Sequence, residues 1–221
     1  MDASDPAYAG QHFYSSWFLR VYDLLVLGLF ANLVWRCPTR LLVQHYSQNL
    51  GRRHLDVGPG TGYFFERARL PLGFSLSLLD PNLNVLAHSS RRLTRLNPSL
   101  LHADVTRPLN LNRRFDSIAI NYVLHCLPGP MSGRSGAIHS LAQLLDPGGV
   151  LFGATVLGTP ELHTWLSLAA LRDNNQRGIF DNLSDTEDAL RELLSGSFGA
   201  VDIHVVGSVA VFIARMPTSV C

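Results

Sequence analysis

Three glycines at alternate positions follow a short apolar run that contains an aspartate. They are Gly58, Gly60 and Gly62 in the segment HLDVGPGTGY, residues 54–63. Glycine permits positive φ angles and lets a ligand approach the main chain, and the start of a helix attracts anionic or polar groups. The segment therefore predicts a turn that binds the polar part of a nucleotide, with Pro59 and Thr61 in the same turn.

Three acidic residues near this turn and the next strands have the chemistry that a nucleoside and an amino acid require. Asp80 stands 18 residues after Gly62, close to the spacing at which an acid binds ribose hydroxyls in nucleotide-binding α/β folds. Asp104 could accept a hydrogen bond from an adenine amino group while Val105 packs on the ring. Asp56 precedes the glycine turn, where a carboxylate would repel a pyrophosphate and attract an ammonium group.

Two other families with glycine turns fit the spacing less well. A P-loop requires a Gly-Lys-Ser/Thr sequence, and Tyr63 follows Gly62 here. A dinucleotide-binding turn has the pattern GxGxxG, whereas this chain has GxGxG, with Tyr63 where the third glycine would pack against the strand. A closely packed pyrophosphate is therefore less favoured, although a nicotinamide-dependent oxidoreductase stays open as an alternative.

The surrounding pattern alternates strands with helices. This order predicts an α/β fold: a Rossmann-like, doubly wound, seven-stranded and mostly parallel sheet with an N-terminal helical lid. Gly207-Ser208 between the last two strands predicts a C-terminal antiparallel hairpin. We expect a single domain over 1–221, with a helical lead-in at 1–49 and the α/β core at 50–221. The predicted strands are 53–57, 74–79, 100–103, 115–122, 150–156, 200–206 and 209–214, and the predicted helices are 12–35, 39–49, 61–69, 83–96, 137–145 and 186–194.

Composition narrows the class of protein. The chain has 221 residues, of which 47% are hydrophobic and 16% charged, and its net charge is +1. These values favour a full core and give no general surface for nucleic acid or an anionic membrane. The longest unbroken apolar stretch near the start, Leu24–Ala31, is too short to span a membrane. Three cysteines without a CxxC pair, and no signal-peptide pattern, predict a reducing cytoplasmic location.

Five segments in order resemble the class I S-adenosylmethionine-dependent methyltransferases. The segments are LDVGPGTGY, SLLDPN, HADVT, FDSIAINYVLHCLPG and LLDPGGVLF, within residues 50–157. The upstream segment YDLLVLGLFANLVWRCPT is similar to the helical lead-in of small methyltransferases of natural-product pathways.

The resemblance implies that S-adenosylmethionine is the cofactor and S-adenosylhomocysteine the product. It also implies that the methyl acceptor is a small molecule, a secondary metabolite, which receives the methyl group on an oxygen, nitrogen or carbon atom. We expect no nucleic acid and no membrane as partner, and a homodimer stays open. The implied cofactor-binding residues, including those of the turn, are Tyr22, Asp56, Gly58, Pro59, Gly60, Thr61, Gly62, Asp80, Pro81, Asn82, Asp104, Val105, Asn121 and Tyr122.

In-line methyl transfer needs a general base only when the acceptor is weakly acidic. His125, just after the fourth strand, is the first candidate for this base, followed by His12 and Tyr14. The lead-in helices and residues 158–185 are expected to wall the acceptor pocket, where Phe13, Trp17, Trp165 and Phe180 could contribute lining. No histidine spacing suits a metal and no GxSxG elbow occurs, so neither a metal site nor a serine nucleophile is expected.

Two further alternatives share the cofactor motifs. A pericyclase-like protein could bind the sulfonium without transferring its methyl group. Methylation of protein or RNA is less favoured, because a basic surface is missing and the fourth-strand segment reads NYVL rather than the Asn/Asp-Pro-Pro-Tyr type of many amino-group methylases.

Overall fold

The computed structural model describes residues 32–218 as one seven-stranded sheet with helices on both faces. The strand order is β3-β2-β1-β4-β5-β7-β6, in which β1 to β5 are parallel and β7 is antiparallel to both of its neighbours. The mostly parallel sheet and its closing hairpin confirm the fold predicted from the sequence. The strands are β1 Arg53–Val57, β2 Ser75–Asp80, β3 Ser99–His102, β4 Phe115–Asn121, β5 Leu145–Val156, β6 Phe198–Val206 and β7 Val209–Pro217.

Five α-helices cover the sheet in the described part of the chain. They are α1 Thr39–Asn49, α2 Leu83–Arg92, α3 Ser135–Gln143, α4 Trp165–Gln176 and α5 Glu187–Ser195. Leu42 of α1 and Leu171 of α4 belong to the apolar core on one face, whereas Leu141 of α3 and Leu190 of α5 belong to the core on the other. The central strands are therefore covered on both sides, as the apolar segments of a parallel sheet require.

The structure differs from the sequence-based expectation in three elements. The helix expected at 61–69 is only a short 3₁₀ turn, Tyr63–Glu66, because Gly62 is left-handed and Pro71 follows soon after. The turn expected before the fifth strand lies inside β5, which begins at Leu145 and pairs there with Phe115. Helix α4 was not predicted at all.

Most of the predicted lead-in helix, 12–35, lies outside the described residues. Asn32–Val34 form a single wide helical turn, and α1 follows at the predicted position. Within residues 32–218, no helix combines the length and apolar character that a membrane crossing would need.

Gly62 closes the turn after β1 through its left-handed backbone. Its φ is +76°, and its N–H donates to the carbonyl of Pro59 at 2.9 Å. A Cβ at this position would lie 2.7 Å from Cδ1 of Leu93, the buried residue that ends α2. The bare Cα of Gly62 thus makes room for a neighbouring helix end.

We expect Gly62→Ala to destabilise the protein by about 2–4 kcal/mol, because the left-handed backbone costs about 1 kcal/mol and crowding of Leu93 adds about 1–3 kcal/mol. Gly73→Ala is the matched control. Gly73 has a φ of +71°, but a Cβ there would meet no atom within 4 Å. Urea unfolding measures the difference, and equal losses for the two variants would show that Leu93 does not crowd position 62.

A buried ion pair anchors the segment that follows α4. Arg134 Nη1 donates to Asp185 Oδ2 at 2.5 Å, and both side chains are almost completely buried. Arg134 Nη2 also donates to the carbonyls of Gly129, at 2.8 Å, and Asp181, at 2.5 Å. One guanidinium therefore binds the loop after β4 and both ends of the stretch 181–185.

Further hydrogen bonds fasten the same segment to the strand ends. The Asp181 N–H donates to the His125 carbonyl at 2.9 Å, and Asp181 Oδ2 accepts from the Gly129 N–H at 2.7 Å. Asn182 Nδ2 donates to the Val156 carbonyl at 2.8 Å, and Asn182 Oδ1 accepts from Asn175 Nδ2 at 2.9 Å. The segment is consequently held at a fixed place beside the sheet edge where β4 and β5 end.

Removing one partner of a buried ion pair leaves an unpaired buried charge, so we expect Arg134→Met to cost about 3–5 kcal/mol of unfolding free energy. The control is Arg191→Met, which breaks an exposed ion pair in which Nη2 of Arg191 lies 2.9 Å from Oε1 of Glu187. This change should cost about 0–1 kcal/mol of unfolding free energy. Both values follow from urea unfolding. A loss in Arg134→Met no larger than that in the control would contradict the anchoring role.

Candidate functional site

A cavity of about 760 Å³ opens at the carboxyl ends of the central strands. We call it the strand-end cavity. It lies where β1 and β4, which are neighbours in the sheet, lead into loops on opposite sides, the place where doubly wound folds bind ligands. Its lining residues are Val57, Gly58, Gly60, Leu79, Asp80, Pro81, Asn82, Val85, Asp104, Val105, Thr106, Asn121, Tyr122, Val123, Cys126, Leu127, Pro128, Arg172, Asn175, Gln176, Gly178, Ile179, Phe180, Asp181 and Leu183.

Two of the three alternate glycines line this cavity. Gly58 and Gly60 both have positive φ angles, +66° and +54°, and present main chain to the space. The Gly58 N–H donates to the Leu79 carbonyl at 2.9 Å, which fixes the turn to the end of β2. A ligand can therefore approach the backbone at these two positions.

The other predicted residues of the turn, Pro59, Thr61 and Gly62, are not among the residues that line the cavity. Gly62 faces Leu93, as described above, and Thr61 is buried with 2% of its surface exposed. Pro59 is likewise absent from the lining, although its carbonyl accepts from the Gly62 N–H. These residues shape the turn instead.

Asp80 ends β2 and is half-buried at the cavity wall. Its Oδ1 accepts from the Asn82 N–H at 2.7 Å, which leaves Oδ2 for another partner. The residue that caps α2 is Asn82, whose side chain accepts from the Asn84 N–H at 2.9 Å. Asp80 is therefore not needed as a cap, and burial raises the pKa of its carboxyl to about 7. Pro81 and Asn82 line the cavity beside it.

Asp104 follows β3, and its two carboxylate oxygens, like those of Asp80, have different surroundings. Oδ1 accepts from the N–H and the hydroxyl of Thr106, at 2.9 and 2.7 Å, whereas Oδ2 lies 3.8 Å from Nε of Arg107. Val105, between them, is buried and apolar. The pair presents a carboxylate beside an apolar surface, as a base ring with an amino group requires.

Asp56, which the sequence suggested could attract an ammonium group, lies behind the glycine turn rather than in the cavity wall. It is 2% exposed, and its Oδ1 accepts from the Tyr46 hydroxyl at 3.0 Å. Burial raises the pKa of Asp56 to about 8, and the nearby Asp80 adds to this rise. The carboxyl is thus poised to lose its proton when a cation approaches.

Asn121 and Tyr122 lie at the end of β4 and line the cavity as predicted. The Asn121 amide is buried, and it approaches the Tyr46 hydroxyl without a hydrogen bond of normal geometry to any described residue. Tyr122 has a φ of +56°, an unfavourable angle for a residue other than glycine. Such strain at a strand end is common at ligand-binding positions.

His125 does not have the surroundings of a general base, which corrects the first catalytic expectation. It is 3% exposed and absent from the cavity lining. Its Nδ1 accepts from the Val156 N–H at 3.2 Å, so the neutral ring carries its proton on Nε2. Burial lowers the pKa of His125 to about 3. Phe180 packs edge-on against the His125 ring, with 4.3 Å between the two ring centroids, which indicates that His125 has a packing role.

Several other predicted residues can be placed only in part. His12, Tyr14 and Tyr22, together with Phe13 and Trp17, lie outside the described residues. Trp165 is 82% exposed and does not line the cavity, whereas Phe180 does. In residues 32–218, no group of three or more histidine, cysteine or acidic side chains is placed to hold a metal ion.

The wall opposite the glycine turn comes from α4 and the loop after it. The sequence predicted that residues 158–185 would form a wall but identified only Phe180 correctly among its lining residues. Helix α4 begins with a reciprocal capping box between Thr164 and Ser167, with bonds of 2.8 and 3.2 Å. This pattern of Thr with a side-chain acceptor three residues on was the signal that could have located the helix.

Comparison with known proteins agrees with this architecture. A family model described as a methyltransferase domain matches residues 35–197. Demethylluteothin O-methyltransferase of Streptomyces thioluteus is 36% identical over 92% of this chain and 89% of its own length. The N-methyltransferase vrtF of Penicillium aethiopicum is 34% identical over 96% of this chain and 90% of its own length.

A solved structure extends the agreement to the fold. Human N-acetylserotonin methyltransferase, crystallised in complex with SAM, superposes with a TM-score of 0.70 at 17% identity, over 99% of this chain and 61% of that one. The resemblance predicted from the five sequence segments is thereby confirmed. The chain belongs to the methyltransferase domain family.

Proposed function

We propose that the protein transfers a methyl group from S-adenosylmethionine to an oxygen or nitrogen atom of a small molecule. The observation that carries the proposal is the meeting of bare main chain at Gly58 and Gly60 with the available oxygens of Asp80 and Asp104 in one cavity. The two relatives named above are O- and N-methyltransferases and match nearly the whole chain, which supports the same reaction class.

The described residues fit the adenosyl part of the cofactor. Asp80 Oδ2 can accept from ribose hydroxyls, and Asp104 Oδ2 can accept from an adenine amino group. Val85 and Val105 supply buried apolar surface on which an adenine ring can pack. A phosphate-containing dinucleotide fits less well, because none of the described cations lines the cavity beside the glycine turn to neutralise a pyrophosphate.

The other end of the cavity fits an amino acid. The orphaned amide of Asn121 can bind an ammonium or carboxylate group, and its partners are otherwise missing among the described residues. Asp56 lies just behind, and an ammonium nearby would favour its ionised form. Tyr46 would then hold the ionised carboxylate with its hydroxyl.

When bound, S-adenosylmethionine supplies a methyl group on a positively charged sulfur whose charge is lost on transfer. Val57, Leu79, Leu127 and Phe180 give the cavity mostly apolar walls that exclude water, which favours a reaction that loses charge. The wall formed by residues 172–183, which we call the anchored wall because the bonds of Arg134 and Asn182 fix its loop, holds the acceptor against the strand ends. Correct placement of two reacting groups alone removes several kcal/mol of barrier, about 7–11 in the best cases.

Two measurements test the proposal. Calorimetric titration with S-adenosylhomocysteine should show binding at one site per chain. Incubation with S-adenosylmethionine and a panel of phenols, hydroxy acids and amines should give a product heavier by one methyl group. Isomerisation without a gain in mass would instead support a pericyclase-like activity, and binding of NADH without binding of S-adenosylhomocysteine would support an oxidoreductase.

The Asp80 carboxyl gives a specific test of the ribose contact. We expect Asp80→Ala to weaken S-adenosylhomocysteine binding by about 2–4 kcal/mol, the value of two hydrogen bonds to a charged group. Calorimetry measures this loss. Unchanged affinity in a variant with an unaltered circular dichroism spectrum would reject the contact.

The same carboxyl predicts a pH dependence. The ionised form accepts hydrogen bonds from ribose more strongly, and the pKa of Asp80 in the free protein is about 7. Affinity for S-adenosylhomocysteine should therefore rise as the pH rises from about 5.5 to about 7.5, by up to about tenfold per unit below the pKa. Asp80→Asn should flatten this rise, and the slope that remains should come from Asp56, whose pKa is about 8 in the wild type and falls in the variant because the charge of Asp80 no longer raises it. An equal slope in both proteins below pH 7 would contradict the assignment.

A further inference from the structure

The strand-end cavity has an uneven distribution of charge. Among the residues that the structure describes, Arg172 of α4 is the only cation that lines it. The strand ends contribute the carboxyl groups of Asp80 and Asp104, which the proposed cofactor contacts use. The positive charge therefore lies on the opposite wall, which is built from residues 172–183.

The guanidinium of Arg172 has no carboxylate partner in the described part of the chain. The neighbouring acid, Asp173, pairs instead with Arg177 one turn later, with an N–O distance of 3.0 Å. Gln176, four residues after Arg172, lines the cavity on the same helix face. Arg172 and Gln176 thus present free donors to the cavity, and we call this pair the α4 donor pair.

Among the described residues, few groups could remove a proton from an acceptor. The described titratable groups that share the cavity with Arg172 are Asp80, Asp104, Tyr122, Cys126 and Asp181. Surrounding protein raises the pKa of the Cys126 thiol to about 12, so it is a poor base at neutral pH. Asp181 uses one carboxylate oxygen to hold the Gly129 N–H. The sequence contains no lysine, and His125 has its Nδ1 lone pair occupied.

We propose that the α4 donor pair binds an oxyanion on the methyl acceptor, so that the preferred acceptor is an acidic hydroxyl compound such as a phenol or an enol. This inference rests on the proposed function and specifies its substrate class. A guanidinium is always charged and has several donors, and a second donor from Gln176 adds direction. The apolar neighbours Ile179 and Phe180, both partly buried, line the cavity on the same side.

With the acceptor bound as an anion, the methyl transfer needs no protein group to remove a proton. The acceptor loses its proton to solvent when it binds as an anion. Its oxygen forms the new bond to the methyl carbon as the bond from that carbon to sulfur breaks, and the electron pair stays on sulfur. The products are a methyl ether and neutral S-adenosylhomocysteine, and no proton moves in the transfer step.

Binding of 4-nitrophenol to the complex with S-adenosylhomocysteine tests the inference without catalysis. Only the anion of this probe absorbs strongly in the visible range, so its ionisation can be followed directly. In the wild-type complex we expect the ionisation midpoint of the probe to fall by about one pH unit relative to the free probe, which corresponds to about tenfold preference for the anion. S-adenosylhomocysteine is used because its neutral sulfur leaves the protein as the source of the attraction.

Arg172→Gln is the test variant, and Arg177→Gln is the matched control, at the residue that follows the same helix and lies outside the cavity lining. We expect Arg172→Gln to abolish the displaced midpoint and to weaken binding of the anion about 10- to 100-fold, and Arg177→Gln to keep both. Both side chains are exposed, so thermal unfolding should be unchanged. Gln176→Leu should reduce anion binding by a smaller factor.

Three results would overturn the inference. The first is a wild-type complex that does not bind the probe or does not displace its midpoint, and the second is an Arg172→Gln variant that behaves like wild type. The third is a loss of S-adenosylhomocysteine affinity in Arg172→Gln, which would assign the guanidinium to the cofactor's carboxylate. If wild-type protein fails to bind S-adenosylhomocysteine at all, the proposed function fails together with the inference. If it binds but the probe results are negative, the inference alone fails.

Discussion

The strand-end cavity exists because the chain winds in opposite directions from the centre of the sheet. From β1 the order runs outward through β2 to β3, and then returns through β4 and β5 on the other side. Successive crossovers of one hand consequently place their helices on different faces. The loops after β1 and β4 diverge, and the space between them cannot be filled by either. The described residues to which the proposed function gives a direct contact with cofactor or acceptor lie around this gap.

Much of the fold could be predicted because its signals are local. The segments that became β1, β2 and β4 have buried residues at successive positions, as strands that are covered on both faces do, and the Gly207-Ser208 turn specified the hairpin. Helix α4 could not be found by periodicity, because only Leu171 and Ser167 of its residues are buried. Its capping box was a signal, but a weak one in a single sequence.

The candidate site could be predicted for residues whose place in a motif also determines the edge of the sheet at which they lie. Asp80, Asp104 and Asn121 end or follow parallel strands, and such positions point to the same edge of the sheet. The surroundings of Gly62 and Asp56 could not be predicted, because neighbours distant in sequence decide them. Leu93 occupies the space beside Gly62, and Tyr46 covers Asp56. Similarly, the N–H that donates to Nδ1 of His125 belongs to Val156, which lies at the end of β5 and is distant in the sequence.

The anchored wall has a consequence for how this protein can be modified. The Arg134–Asp185 pair is buried behind the surface that faces the acceptor, and the Asn175–Asn182 contact ties α4 to the same stretch. Ile179, Phe180 and Leu183 project from the same stretch toward the cavity but take no part in those bonds. The shape of the pocket can therefore be altered at these three positions while the backbone that carries them stays fixed. An engineer who wants new acceptors has a small and independent set of side chains to vary.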